Sequence, residues 1–256
     1  MITIEKTEVL GWEHAIRGMR NPMNSWGKSD SGYGRFEHYC DKDCQLSYCI
    51  DPDDRNYIIG PNDLDLMMRL RNAGTDHRKF MRMITVYVDI TAPMYWFKQF
   101  DTYKIGTVAN SCSTMHKIAA KEFTLEDFSC EHMDDVTLDT LNYVITQLEY
   151  DRLHYLKTKD KKYWWQMIQL LPSSYNQKRT VMMNYEVLTN IYKSRRNHKL
   201  DEWHTFCDWI EGLPYSELIT GVTEPDESIA QELDKLGKAV QEGFVAGMES
   251  ISRKEK

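Results

Sequence analysis

Three cysteines and a histidine lie close together in the chain and carry side chains that bind zinc. They are His38, Cys40, Cys44 and Cys49. Thiolate and imidazole groups are the usual ligands of structural zinc. Three residues separate the first two cysteines and four separate the next two, a spacing found neither in common zinc pairs nor in iron–sulfur motifs. We therefore predict that no metal is bound here, and a cysteine-anchored metal protein remains as a third hypothesis.

The other cysteines, Cys112, Cys130 and Cys207, are scattered along the chain. Free thiols of this kind are most often buried and unreactive. Cys112 has a second interpretation, because a helix that began there would lower its pKa and make it a nucleophile.

Composition predicts one compact domain over residues 1–256. The chain has 41% hydrophobic residues, enough for a sizeable core. Its net charge of −7 argues against a nucleic-acid partner. The N-terminal residues do not resemble a leader, and no run reaches the roughly 18 apolar residues of a membrane span. We expect a cytoplasmic protein without a membrane partner.

Hydrophobic periodicity predicts the elements that position any site. In the first half these are an irregular loop over residues 24–60, a helix that Asp63 caps and Gly74 ends, a strand over residues 83–90 closed by Ala92-Pro93, and a helix reaching Phe100. In the second half a helix follows Asp135 as N-cap, with a core stripe of Val136, Leu138, Leu141, Val144, Ile145, Leu148 and Leu153. Further helices are predicted over residues 162–171, 185–196 and 200–211, and an amphipathic helix over residues 226–256.

Residues 80–116 resemble a stretch of the flavin-dependent thymidylate synthases. Ala92-Pro93-Met94-Tyr95-Trp96-Phe97-Lys98-Gln99-Phe100 is similar to the Ala-Pro, four residues and Arg-Gln-Trp that follow a strand in that family. Where the family has Arg-His-Arg, then a Ser, Asn-Glu, Ser and Arg-Tyr, this chain has Thr102-Tyr103-Lys104, Thr107, Asn110-Ser111, Ser113 and Met115-His116.

A second stretch keeps the family's spacing without change. Asn184-Tyr185-Glu186-Val187-Leu188-Thr189-Asn190, four residues and Arg195 resemble the family's C-terminal helix, which carries two Asn and one Arg. Arg17 to Ser25 is a weaker match to an N-terminal Arg-Val-Ser segment. Together the matching stretches cover about half of the chain.

The resemblance implies an α+β fold with a central, mostly antiparallel sheet packed with helices. It also implies a homotetramer that binds FAD and dUMP, with methylenetetrahydrofolate as carbon donor and NADPH as reductant. The residues that it places in catalysis are Lys104, Ser113 and Arg195. Those that it places at the cofactor are Ser25, His77, Tyr103, Lys104, Asn110, Asn184, Asn190 and Arg195. Those that it places at the substrate are Gln99, Ser111, Cys112, Ser113, Thr114 and Arg195.

The altered signature leaves the reaction open. Thr102 and Tyr103 replace an Arg and a His, and Lys104 keeps a charge without the planar fork of arginine. Lys104, Arg195 and the amides of residues 111–114, if these open a helix, would hold a phosphate. Each of these residues also has a purely structural interpretation. Lys104 would then be a solvated surface lysine, Arg195 part of a solvent-exposed charged helix face, and Gln99 a core glutamine whose hydrogen bonds are satisfied within the protein. Flavin-dependent methylation of a pyrimidine nucleotide is therefore the first hypothesis, and nucleotide binding without turnover is the alternative.

Overall fold

The computed structural model describes residues 2–33 and 57–221. Its strands are β1 (Thr3–Leu10), β2 (Gly32–Tyr33), β3 (Tyr57–Ile58), β4 (Thr85–Pro93), β5 (Val108–Ser111) and β6 (Asn176–Asn184). Four of them form an antiparallel sheet in the order β1-β4-β6-β5, and β2 pairs with β3 in a two-stranded antiparallel sheet.

Helices accompany this antiparallel sheet, so the predicted α+β class with a mostly antiparallel sheet is confirmed. They are α1 (Trp12–Arg20), α2 (Pro61–Asn72), α3 (Met94–Phe100), α4 (Asp135–Thr158), α5 (Lys161–Leu170), α6 (Tyr185–Arg195), α7 (Asp201–Glu211) and α8 (Glu217–Thr220). Short 3₁₀ turns lie at Asn21–Met23, Trp26–Lys28, Arg78–Met83 and Leu125–Asp127.

The alternation of buried and exposed side chains along β4 shows which face of the sheet packs on the core. Val86, Val88 and Ile90 point inward and are almost completely buried, whereas Tyr87 between them is exposed. Since successive side chains of a strand point to opposite faces, one face packs on helices and the other meets solvent. The predicted strand over residues 83–90 is confirmed, with its start moved from Met83 to Thr85.

A second hydrophobic cluster lies between α4 and α5. It contains Leu141, Ile145, Leu148 and Met167, joined by residues of the segment 118–128. The predicted stripe is correct in its centre and wrong at its ends, because Val136 is 76% exposed and Leu153 is 52% exposed. The N-cap is Asp134 rather than Asp135, since the Asp134 side chain accepts the amide hydrogen of Thr137.

Asp63 does not cap α2. The helix begins at Pro61 after Gly60, and Asp63 lies inside its first turn with its side chain completely buried. There it accepts a hydrogen bond from the Nε of Arg20 at 2.6 Å. Tertiary contact with α1 therefore replaces the local role that the sequence predicted.

The sequence patterns predict neither the strands β1, β2, β3, β5 and β6 nor the helices α1 and α8. The strand β6 has only two fully buried inward positions, Val181 and Met183, among polar neighbours. The condition that residues 111–114 open a helix is not met, since Ser111 ends β5 and a turn follows.

Residues 1–219 form one compact unit and residues 220–256 a second, of which only 220 and 221 are described. The predicted helix over residues 226–256 and the Cys40, Cys44 and Cys49 cluster with His38 lie outside the described residues. A single domain over residues 1–256 stays a prediction. Among the helices of the described part, none is both long and apolar enough to cross a membrane.

Candidate functional site

Four side chains from three separate parts of the chain meet at one place, which we call the donor cluster: Gln99, Tyr103, Arg195 and Trp203. Arg195 donates from Nε to the Tyr103 hydroxyl at 2.9 Å and from Nη1 to Gln99 Oε1 at 3.2 Å. Trp203 donates from its indole nitrogen to the same Gln99 oxygen at 3.0 Å. The ends of α3 and α6 and the first turn of α7 thus converge on one amide group.

Chemistry fixes which way the Gln99 amide points. An indole nitrogen and a guanidinium can only donate, so the group that faces them must be the carbonyl oxygen. With the amide reversed, the fully buried indole of Trp203 would lose its acceptor, at a cost of about 1–3 kcal/mol. Gln99 Oε1 therefore points inward, and its amide nitrogen points away from both donors.

Arg195 is held by aromatic rings as well as by hydrogen bonds. Its guanidinium carbon lies 4.9 Å from the centroid of the Trp203 ring and 5.6 Å from that of Tyr103. Cations over such rings gain about 0.5–2 kcal/mol. The side chain of Arg195 is half-buried and fixed in direction before any ligand arrives.

The loop after α3 runs beside α6 and is fixed by Gly106. This glycine has φ of 79°, and a Cβ there would lie 2.9 Å from Asn184 Nδ2 and 3.1 Å from Val187 Cγ2. Asn184 is the N-cap of α6, and its side-chain oxygen accepts the amide hydrogen of Val187 at 3.0 Å. Close packing at Gly106 thus sets the position of Lys104, which is exposed and has no ion pair among the described residues.

Asn190 lies at a different place from the donor cluster. Arg78 donates from Nη2 to Asn190 Oδ1 at 3.4 Å, and its Nε lies 2.8 Å from Glu186 Oε2. Positions 186 and 190 are one turn apart on α6, so they share a face. His77 is exposed beside Arg78, at the start of a 3₁₀ turn.

The segment 110–114 is anchored to β6 by its backbone. Asn110 and Ser111 are in β5, and the amide of Cys112 donates to the Lys178 carbonyl at 2.9 Å. Gln177 donates from its side chain to the Cys112 carbonyl at 2.6 Å. The Ser113 hydroxyl oxygen accepts the amides of Met115 and His116. Asn110, Ser111, Cys112 and Ser113 are exposed and Thr114 is half-buried, so the expected buried thiol at Cys112 is wrong.

His198 lies three residues after Arg195 and offers a further donor. Its Nδ1 accepts the amide hydrogen of Leu200 at 3.1 Å, which leaves the hydrogen on Nε2. Burial lowers the pKa of His198, and the positive charge of Arg195 lowers it further. Because Nδ1 is the acceptor, the Nε2–H group of His198 is a donor.

Two crystal structures of the flavin-dependent thymidylate synthase from Helicobacter pylori, both with FAD and dUMP, are similar to this chain. Their TM-scores are 0.57 and 0.56, and their sequences are 14% and 13% identical to it. The matches cover 86% of this chain and 97% and 98% of the others. The chain has the flavin-dependent thymidylate synthase fold.

A third similar structure, with a lower TM-score, is that of the UMP/dUMP methylase PolB from Streptomyces cacaoi bound with 5-Br dUMP. Its TM-score is 0.49 at 14% identity, over 83% of this chain and 89% of that one. No family model matches the chain, and no curated protein matches it. The likeness to the two Helicobacter pylori structures establishes the fold.

Within this thymidylate synthase fold, three residues singled out by the sequence make direct contact: Gln99, Tyr103 and Arg195. Asn184 packs on the loop that carries Lys104. Ser25 belongs to a different network, in which Arg20 donates to its carbonyl at 3.2 Å.

Sequence reasoning missed two residues that shape the site. Trp203 was read only as part of a helix, and nothing in its spacing relates it to Gln99, which lies 104 positions away. Arg179 lies in the strand that was not predicted, where it pairs with Asp101 at 2.6 Å and stacks on Phe97 at 3.8 Å. In the sheet Arg179 pairs with Ser111 of β5, and this pairing brings Arg179 beside a residue that the resemblance places at the substrate.

Proposed function

We propose that this protein binds a pyrimidine deoxynucleotide such as dUMP at the donor cluster and methylates it. In this proposal methylenetetrahydrofolate provides the carbon and reduced FAD provides the reducing equivalents. The observation that carries it is the pre-arranged group of Gln99, Tyr103 and Arg195 in a fold whose solved examples hold FAD and dUMP.

Arg195 is the principal ligand group in this proposal. A guanidinium whose Nε and Nη1 are already committed presents its remaining N–H groups in a fixed direction. Carboxylate, phosphate and ring-carbonyl oxygens are the acceptors that such a group binds best. Donors placed in advance also stabilise negative charge that develops on a pyrimidine ring during reaction.

The loop over residues 104–107 supports a site for FAD. Lys104 has no ion pair among the described residues, and the hydroxyl of Thr107 is buried there without a hydrogen-bond partner. An unpaired cation and an unpaired hydroxyl in one loop suit the phosphates or hydroxyls of a dinucleotide. We propose Tyr103, Lys104, Asn110 and Arg195 as its contacts, with Ser25, His77, Asn184 and Asn190 in supporting positions. When bound, FAD would supply reducing equivalents drawn from NADPH.

We further propose that the protein is a homotetramer. Support comes from α4, whose outer face carries apolar side chains exposed to solvent in the single chain: Val136, Tyr143, Tyr150, Leu153 and Leu156. Apolar surface of this kind commonly marks a contact with another protein. Light scattering tests this, since four chains of 30.3 kDa are expected in one particle.

The alternative function is nucleotide binding without turnover. Two observations favour it: Asn184 is occupied in capping α6, and the Thr102 hydroxyl is occupied with the Gln99 carbonyl at 2.7 Å. The Asn184 oxygen and the Thr102 hydroxyl hydrogen are then not available to a cofactor. The alternative predicts affinity for dUMP without flavin chemistry.

Absorbance between about 350 and 500 nm, after incubation with FAD and gel filtration, separates the two functions. The enzyme hypothesis predicts retained FAD, and thymidylate formation when dUMP, methylenetetrahydrofolate and NADPH are added. Binding of dUMP by a protein that retains no FAD would instead establish the alternative. A protein that binds neither would contradict both.

A further inference from the structure

The Gln99 carbonyl oxygen has no capacity left for a ligand. It accepts one hydrogen bond from Arg195 Nη1 and one from the Trp203 indole, and an amide oxygen has two lone pairs. The amide nitrogen has no partner among the described residues and is not one of their buried, unpartnered atoms. Gln99 therefore presents two N–H donors and no acceptor.

The neighbouring side chains have the same property. Arg195 has no acceptor, and the Tyr103 oxygen already accepts from Arg195, so its hydroxyl hydrogen is left to donate. His198 uses its one acceptor nitrogen on the Leu200 amide. Apart from the second lone pair of the Tyr103 hydroxyl oxygen, every side-chain group that this cluster can offer to a ligand is a donor.

We propose that Trp203 is a positioning residue that makes the donor cluster discriminate between pyrimidines. On the premise that the proposed nucleotide binds there, the cluster meets position 4 of the ring. Uracil carries an accepting carbonyl at this position, and cytosine carries a donating amino group. Trp203 imposes the choice indirectly, because its indole N–H and Arg195 together occupy both lone pairs of the Gln99 oxygen and leave none to accept from a ligand.

Removal of the indole nitrogen tests this role without removing the ring. Trp203→Phe leaves Arg195 as the remaining donor of the pair to Gln99 Oε1, so one lone pair of this oxygen is freed and can accept from an amino group. Trp209→Phe is the matched control on the same helix, because that indole donates to Thr7 instead, at 2.9 Å. Circular dichroism confirms that both variants fold.

Calorimetric titration with dUMP and with dCMP gives the affinity ratio for each protein. We expect the wild type and Trp209→Phe to bind dUMP at least about tenfold more tightly than dCMP, a difference of about 1.4 kcal/mol. Trp203→Phe is expected to bring the ratio close to one, mainly by improving dCMP binding. A ratio that Trp203→Phe leaves unchanged overturns the proposal.

Gln99→Glu gives an independent test that does not alter the aromatic core. One carboxylate oxygen can accept from Arg195 and Trp203, and the other then faces the ligand as an acceptor. This variant should favour dCMP over dUMP, and an unchanged preference for dUMP would overturn the proposal. Equal binding of both nucleotides by the wild type contradicts only the proposed role of Trp203 and leaves the proposed function standing. Binding of neither contradicts the proposed function and this role together.

Discussion

Asp63 is the most completely bonded carboxylate of the described chain, and its replacement by asparagine tests how the N-terminal region is held. Its Oδ1 accepts from Arg20 Nε at 2.6 Å. Its Oδ2 accepts from the hydroxyls of Ser29 and Ser31 and from the amides of Asp30 and Ser31, at 2.6 to 3.1 Å. Both Asp63 and Arg20 are buried.

The cost of Asp63→Asn follows from these contacts. The side-chain volume hardly changes, but an amide NH₂ would face either Arg20 or the two backbone amides, which are all donors. Each buried group that loses its partner costs about 1–3 kcal/mol. Breaking a buried ion pair from one side costs about 3–5 kcal/mol. We expect a loss of about 3–5 kcal/mol in the free energy of unfolding.

The matched control is Asp65→Asn in the same helix. Asp65 pairs with Arg69 at 2.9 Å, and both side chains are about two-thirds exposed. Exposed pairs one turn apart contribute about 0.3–0.5 kcal/mol. Urea denaturation followed by tryptophan fluorescence measures both variants. Equal, small losses for the two would refute the role assigned to Asp63.

The same substitution changes how stability depends on pH. Burial alone would raise the pKa of Asp63, but hydrogen bonds from Ser29, Ser31 and Arg20 outweigh it and hold the pKa below its usual value. The folded state thus stays ionised where the unfolded state takes up a proton. Asp63 stabilises the fold above its unfolded pKa of about 3.9, and this is lost as the pH falls through the folded pKa. Asp63→Asn should remove that acid-sensitive part.

Three further outcomes are expected. Gly106→Ala should destabilise the protein and weaken nucleotide binding, because its Cβ would lie 2.9 Å from Asn184 Nδ2. The control Gly74→Ala, with positive φ but open space around it, should cost only the backbone strain of about 1–2 kcal/mol. Equal losses of stability for the two variants in denaturation would contradict the packing at Gly106. Iodoacetamide should modify the exposed Cys112 long before Cys207, whose pKa burial raises to about 11; peptide mass spectrometry reports the order, and the reverse order would contradict the assigned exposures. NMR titration should give His198 a pKa below the usual value of about 6.5, and Arg195→Ala should raise that pKa. Because the unfolded chain is protonated at a higher pH than the folded protein, the His198 contribution to stability falls as the pH drops below about 6.5. A His198 pKa that Arg195→Ala leaves unchanged would contradict the effect of the Arg195 charge.

Local signals in the sequence predicted the elements that build the site. A dense run of β-branched residues marks β4, and the apolar spacing of residues 185–196 marks α6. The strand β6 lacks such a signal because its outward residues Lys178 and Thr180 are satisfied by Asp89 across the sheet. Such pairing depends on the partner strand, which no single segment reveals.

Roles that depend on distant residues were the ones that sequence reasoning missed. Asp63 looks like a cap because it precedes an apolar run, yet Pro61 after Gly60 was the better signal for the helix start. Trp203 could be assigned to a helix but not to Gln99, since only the fold brings α7 against the end of α3. Gln99, Tyr103 and Arg195 could be grouped in advance only through the family resemblance.

Equilibrium dialysis of labelled dUMP against the wild type, Arg195→Ala and Arg196→Ala tests the central claim most directly. Arg196 is the adjacent arginine, exposed and lying over the Tyr192 ring instead of the donor cluster. Loss of charged hydrogen bonds worth about 1.5–3 kcal/mol predicts at least about tenfold weaker binding for Arg195→Ala, and wild-type affinity for Arg196→Ala. Equal affinity of all three proteins for dUMP, or no binding by any, would contradict a nucleotide site at the donor cluster.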